Sequence, residues 1–383
     1  MRNRHDRKQD SSTTTRLVCA VLFVIFSFSW LFWFQGDTLA VAQHVLSGGV
    51  THYNHLVGAV IITFVLLLLQ IGVHAIIRLS RRTHAVTYLP SMLLLGILSS
   101  YDVATGYCWS RWAWLFPLIL IVWGGAVWLA RHVYPFENDR HQPTGFFSKR
   151  TWLNVLQMVA MMVGVALISN TNAVFHYTTH AEVALGKGDT TEALHVGGRS
   201  QETDESLTML RLFALSLNGH VGDSLFCYPI KGGSSDMLPL TGSKSRLLLL
   251  PDSILWQHFG RQPDSLMTVR RYLDSLEVDT MATAAFRDYR LAGYLIDRNL
   301  DSFAVTLPRY YSSMVPDSLP IHYREAMVLF EQQRDTLILG DSLTTMRWHD
   351  FLRFDSIYPT RSERQIRMEP PHTHTYWFYY FYR

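Results

Sequence analysis

Residues Trp152 to Asn170 read WLNVLQMVAMMVGVALISN, an uncharged apolar run placed directly after Lys149 and Arg150. A run of this kind crosses a bilayer as a helix, because about 20 apolar residues at 1.5 Å each cover the hydrocarbon core. It is the last of several such runs. Before it the chain is mostly lipid-soluble, and after it come 213 residues patterned like a water-soluble helical domain. The side of the membrane on which that domain lies is set by the number of earlier crossings.

Residues 1–16 are polar and carry Arg2, Arg4, Arg7, Lys8 and Arg16, after which Leu17 to Phe34 runs without a charge. Ala40-Val41-Ala42 imitates a signal-peptide cleavage site, but the run is longer than a signal core of roughly 7–15 residues and further spans follow, so an uncleaved first span is expected. The expected spans are about 17–34, 56–77, 88–101, 112–130 and 152–170. The third is short and contains Pro90, so length alone leaves it open.

Loop charge decides between four and five. With five crossings and a cytoplasmic N-terminus, the inside segments carry 12 Lys or Arg against one outside, Arg111. With four, the basic residues of 131–151 move outside and the count becomes 9 against 4. Positive residues in short loops stay cytoplasmic, so five crossings are expected, with residues 171–383 in the periplasm of a bacterial inner membrane. Trp30, Trp33, Trp109, Trp112, Trp114 and Trp152 cluster near span ends as an interfacial belt.

Several functions are disfavoured. No Asp, Glu, Lys or Arg lies inside the five cores, whereas coupled transporters need ionisable groups at depth. Gln70, Asn154 and Gln157 are expected to bond between helices. Residues 1–170 carry a net +7 and residues 171–383 a net −4. The positive charge therefore flanks lipid, and nucleic acid is not an expected partner. No cofactor or metal is expected either. Cys19 reads as packing; Cys108 and Cys227 share the outer compartment under this topology, yet are expected to stay unpaired because disulfide geometry is strict.

Candidate site residues cluster in the outside loops. Asp37, His52 and His55 lie in the first, and Asp102 follows the third span. His52 and His55, three apart, can share a helical face, but no further ligand completes a metal set. Asp37 also resembles the loop carboxylate of membrane glycosyltransferases that use lipid-linked sugars.

The tail is helical by periodicity. Ala181 and Ala193 flank a turn at Gly188-Asp189, and Ala292 and Ala304 flank one at Asn299. Small residues twelve apart let the helices of a hairpin approach closely, which resembles the tetratricopeptide arrangement over about residues 173–218 and 280–335. The implied class is all-α: a five-span bundle followed by an irregular helical-hairpin domain. Residues 222–260 read as a long ordered connection, with Leu247–Leu250 a buried strand or helix. Gly-Asp-Ser-Leu occurs at 222–225 and 340–343, the second after TLIL, a plausible strand. It imitates the nucleophile block of lipase-like hydrolases, but no Asp-x-x-His occurs to supply a base. Asp-Ser followed by an apolar residue occurs eight times in the tail, and repeated helix N-capping is the expected reason. The C-terminus ends in seven aromatics, Tyr376 to Tyr382. It reads first as an element tucked into the helices, then as an interfacial foot, then as a strand offered to a partner.

Four blocks carry a family resemblance: SGGVTHYNHLVGA (Ser47 to Ala59), LRLFALSLNGHVGDSLFCYP (Leu210 to Pro229), LPIHYREAM (Leu319 to Met327) and TYWFYYF (Thr375 to Phe381). Their order resembles an uncharacterised multi-pass membrane family of Bacteroidota-type bacteria, a domain-of-unknown-function group. That resemblance implies no activity and no catalytic residue. The expected function is a non-enzymatic scaffold, with the lipid bilayer and an envelope protein or peptide as partners. The alternative is a membrane enzyme of envelope glycan or lipid metabolism, with a site at Asp37, His52, His55 and Asp102.

Overall fold

The computed structural model describes residues 4–77, 83–102, 109–133, 148–264, 266–312, 314–358, 360–367 and 370–383. Cys108, Gly106 and the basic residues Arg78, Arg81 and Arg82 lie outside the described residues. The chain divides into two compact units, Met1–Asn172 and Ala173–Arg383, and every regular element among the described residues is helical.

In the first unit, α1 (Arg4–Ser29) continues through a π turn (Trp30–Phe34) into α2 (Gly36–Ser47), followed by α3 (His55–Ile77). A 3₁₀ turn (His84–Tyr88) leads into α4 (Leu89–Leu98), then α5 (Trp109–Val133) and α6 (Lys149–Ile168). Four of these helical stretches are long and apolar enough to cross a membrane: Thr13–Phe34, His55–Ile77, Trp112–Leu129 and Thr151–Ile168. In α3 the buried residues are Ala59, Thr63, Leu66 and Gln70, a single stripe at helical period. The other faces leave Val60, Ile61, Phe64, Leu68 and Ile71 at least half exposed. A helix with one protein-facing stripe and apolar residues all round is built for lipid.

Where the third span was expected, the helical stretch begins earlier than 88 and is shorter than the four long ones. Pro90 sits in the first turn of α4, where its missing N–H costs nothing, and the 3₁₀ turn precedes it. At 2.0 Å per residue in the turn and 1.5 Å in the helix, His84 to Leu98 extends roughly 25 Å. Unlike α3, it is buried around its circumference: Ala85, Thr87, Tyr88, Pro90, Ser91, Met92, Leu93, Leu95 and Gly96 are all inside.

Hydrogen bonds give the directions. The Ala85 N–H donates to Asn154 Oδ1 at 2.7 Å. At the other end, Asn170 donates its N–H to the Ser99 carbonyl at 2.8 Å and its Nδ2 to the Tyr101 carbonyl at 2.8 Å. Segment 84–101 thus runs parallel to α6 over the same height. α1 does too, since Thr15 meets Thr151 at 3.2 Å and Gln35 Nε2 donates to the Asn170 carbonyl at 3.1 Å. α3 runs against the segment, with Gln70 donating to Thr87 at 3.1 Å and Ser91 to the Leu66 carbonyl at 2.8 Å. Gln70 and Asn154 therefore bond between elements as their residue types imply. Gln157 Oε1 is buried and has no hydrogen-bond partner among the described residues.

The second unit contains α7 (Ala173–Gly186), α8 (Thr190–His195), α9 (Glu205–Leu217), α10 (Val221–Ser224), α11 (Asp252–Phe259), α12 (Val269–Val278), α13 (Ala285–Ile296) and α14 (Leu300–Tyr310). They are followed by α15 (Ile321–Arg334), α16 (Ser342–Ile357), α17 (Arg361–Arg367), α18 (Pro370–Thr373) and α19 (Tyr376–Tyr382). Both expected hairpins are present, α7–α8 around Gly188-Asp189 and α13–α14 around Asn299, with Ala181, Ala193 and Ala292 buried at the crossings.

Two expectations need correction. Residues 336–339 form no strand ahead of the second Gly-Asp-Ser-Leu. The Asp-Ser pairs are not a set of caps either. Asp341 does cap α16, accepting from the Thr344 N–H at 3.0 Å, but Asp274 lies inside α12 and Asp301 inside α14. Asp223 instead accepts the first N–H of α15, from Ile321, at 2.9 Å. An Asp already wound into a helix cannot fold back over its own first turn, so these carboxylates find distant partners. The local caps are Asp189, Asp204, Thr268, Asn299 and Thr375.

Leu247–Leu250 is neither strand nor helix. The N–H groups of Leu248, Leu249 and Leu250 all converge on the buried Glu182 carboxylate, with Leu248 and Leu250 within 3.0 Å. A carboxylate from α7 supplies the acceptors that secondary structure otherwise provides. The aromatic end is helix α19, tucked inside: Tyr376, Trp377, Phe378, Tyr379 and Tyr382 are all buried, in line with the first of the three readings.

Candidate functional site

In the first unit, Asp37 stands in the first turn of α2 and His55 opens α3. The structure pairs them, His55 Nε2 to Asp37 Oδ1, at 3.7 Å. The neighbouring Gly36 permits this approach, because a Cβ there would stand 2.8 Å from His55 Nδ1. His52 is exposed on the link between α2 and α3, and Asp102 is half-buried beyond the 84–101 segment. Among the described residues, no group of three His, Cys, Asp or Glu is placed to hold a metal.

A second constellation lies in the other unit. The 3₁₀ turn Leu225–Cys227 ends in a free, half-buried thiol. Phe226, next to it, meets the His322 ring edge-on at 5.2 Å. His322 is 1% exposed and Glu325, one turn further along α15, is 3% exposed. His322 Nδ1 lies 3.0 Å from Glu325 Oε2, and the same oxygen accepts the Tyr376 backbone N–H at 2.7 Å. The indole of Trp377 donates to the Glu325 carbonyl at 2.8 Å. The carboxylate is therefore anchored by the first turn of α19.

Burial alone disfavours a charged imidazole at His322. Cys227 and Glu325 beside it outweigh burial and push its pKa up to about 9. Nε2 has no hydrogen-bond partner among the described residues.

Sequence reasoning missed this grouping. Cys227, His322 and Tyr376 all lie in the blocks that carry the family resemblance, but no spacing rule links a residue at 227 to one at 322. The His-x-x-Glu step on one helix was the legible part.

An aromatic cleft of about 300 Å³ opens further along, walled by Trp348, Phe351, Leu352 and Phe381 together with Arg361 and Arg364. Arg361 also donates to the Phe381 carbonyl at 2.8 Å, tying α17 to α19.

Residues 257–383, from within α11 to the C-terminus, match a family of unknown function (DUF6057). Two of the four resemblance blocks, LPIHYREAM and TYWFYYF, fall inside the match, as do His322 and Glu325, whereas Cys227 lies before it. No curated protein and no solved structure matches the chain.

Proposed function

We propose that this protein is an inner-membrane-anchored scaffold of the bacterial cell envelope. It has five crossings, a cytoplasmic N-terminus and a periplasmic helical domain that binds an envelope protein or peptide. The observation that carries the reading is the parallel run of α1 and α6. Two parallel spans enter from the same side, so an odd number of crossings must separate them. α3 and α5 supply two, and segment 84–101, spanning the same height as α6, supplies the third. The loop charges, 12 basic residues inside against one outside, support the same count.

Reporter fusions behind Arg383 test the topology. A reporter active only outside the cytoplasm is expected to be active; activity of a cytoplasm-only reporter in its place overturns the reading.

The hairpins α7–α8 and α13–α14 support a tetratricopeptide-like binding domain. Its expected partner segment is an extended peptide with an aromatic or aliphatic side chain and a carboxylate, matching the aromatic walls and two arginines of the cleft. Leu352 and Phe381 are 39% and 40% exposed there. Capture of envelope proteins by the detergent-solubilised full chain is expected to be lost in Leu352→Glu and Phe381→Ala, and unchanged capture excludes the cleft. The Asp37–His55 pair supports a second reading, envelope glycan or lipid chemistry at the outer interface. In that case Asp37→Asn abolishes function and leaves capture intact.

A further inference from the structure

We propose that a cleft between α1 and α6 holds one acyl chain of an anionic phospholipid, whose head group is drawn to the basic ends of the two helices. The assignment is independent of the scaffold reading and of the number of crossings; it needs only that α1 and α6 lie in a bilayer. The cleft encloses about 340 Å³. Its walls are Leu17, Val18, Val21 and Leu22 from α1 with Trp152 and Val155 from α6. These residues fall in the first turns of two stretches long enough to span, Thr13–Phe34 and Thr151–Ile168. The cleft therefore lies just inside one edge of the hydrocarbon.

The lining selects the occupant. Its surface is almost wholly apolar. Thr151 also borders it, but that hydroxyl is engaged with Thr15 at 3.2 Å and Ser148 at 2.9 Å. A polar ligand entering there would give up its hydrogen bonds to water for too few in return. An empty cleft would forfeit the dispersion contacts of its walls. An alkyl chain avoids both costs, and the bilayer supplies it at high concentration. Leu17, Val21 and Trp152 are 62%, 47% and 55% exposed, so the cleft is open along one side to the lipid that fills it.

Charge selects the head group. Because α1 and α6 run parallel, their starts share one side of the membrane unit. Residues 1–16 carry Arg2, Arg4, Arg7, Lys8 and Arg16 against Asp6 and Asp10, and α6 opens on Lys149 and Arg150. Cations thus outnumber carboxylates on the side where the cleft lies. Lys149 stands one turn before Trp152, whose indole is at home at head-group level. Each basic side chain near such a surface favours an anionic lipid by about fivefold.

The test places the full chain in phosphatidylcholine nanodiscs that contain a small share of either phosphatidylglycerol or phosphatidylcholine brominated on the acyl chains. Bromine quenches indole fluorescence on contact. Each chain is measured with and without Trp152→Phe, so that the difference isolates Trp152. Brominated phosphatidylglycerol is expected to quench Trp152 at a mole fraction about fivefold lower than brominated phosphatidylcholine. Lys149→Gln combined with Arg150→Gln is expected to remove most of that preference and to leave quenching by phosphatidylcholine unchanged. Val21→Phe, which fills part of the cleft, is expected to weaken quenching by both lipids. Equal quenching by the two lipids in the parent chain overturns the proposal, as does a preference untouched by the charge variant or a signal untouched by Val21→Phe. Should the charge variant fail to fold, the parent chain decides in about 1 M salt, where charges are screened beyond roughly 3 Å. A preference that collapses there supports the proposal, and one that persists overturns it.

Discussion

The backbone N–H of Tyr376 meets the carboxylate of Glu325 at 2.7 Å, joining the first residue of the last helix to the middle of α15. Around that contact the aromatic C-terminus turns inward. Tyr376 and Tyr379 donate their hydroxyls to the Leu295 and Ile296 carbonyls at 3.3 and 2.8 Å, at the end of α13. Arg298 lies over the Tyr379 ring at 5.4 Å. The buried phenols of Tyr376 and Tyr379 and the indole of Trp377 find backbone acceptors while their rings fill the core.

Replacing Glu325 with Ala strands the Tyr376 N–H and removes the partner of His322. The expected cost is about 3 kcal/mol, typical of breaking a buried, charge-assisted contact. Thermal unfolding of the detergent-solubilised chain, with limited proteolysis of residues 376–383, checks it. Wild-type stability with a protected C-terminus would show the contact to be incidental.

Trp377 is 1% exposed and packs on Trp348 and Phe351 at ring separations of 5.3 and 5.8 Å. Trp377→Ala is expected to cost about 3–5 kcal/mol, the range for deleting a fully buried aromatic. Trp377→Phe, which keeps most of the volume and loses the bond to the Glu325 carbonyl, should cost less than half of that in the same melt.

His322 gives the fold a pH dependence of definite sign. Its pKa rises from about 6.5 to about 9 on folding, so its contribution is fully present below pH 6.5 and is lost as pH climbs toward 9. Denaturation midpoints measured across that window should fall with pH in the parent chain, and the fall should flatten in His322→Gln. An equal slope in both chains would assign the dependence to other groups.

Glu182 serves three backbone donors. Glu182→Ala leaves Leu248, Leu249 and Leu250 without their acceptor and is expected to destabilise the second unit by about 3 kcal/mol. Amide exchange at those three positions, slow in the parent, should become fast. Retained protection would mean another acceptor had replaced the carboxylate.

Asn154 plays the matching role for segment 84–101. Asn154→Ala orphans the buried Ala85 N–H, at an expected cost of about 1–3 kcal/mol, read as a lower melting temperature of the full chain in detergent. Asn154→Asp, which keeps an acceptor oxygen, should recover part of the loss.

Much of the membrane unit was legible from residue order. Runs such as Leu17–Phe34 and Leu56–Ile77 announce lipid because transfer free energy adds residue by residue. The helix hairpins announced themselves through Ala181, Ala193 and Ala292, whose small size matters at a fixed helical period. The Asp-Ser pairs misled because an N-cap depends on backbone conformation as well as residue type; the same dipeptide sits before one helix at Asp341 and inside another at Asp274.

By itself the amino-acid order determined which stretches avoid water, where the cations gather, and that the remainder is helical. These are properties of short windows, additive along the chain. Only the tertiary structure decided that residues 84–101 match the height of α6, that Leu248–Leu250 hang on a carboxylate 66 to 68 positions earlier, and that Phe226 stands edge-on to His322. Each is a pairing between distant positions, fixed by how helices pack, and packing depends on all the neighbours at once.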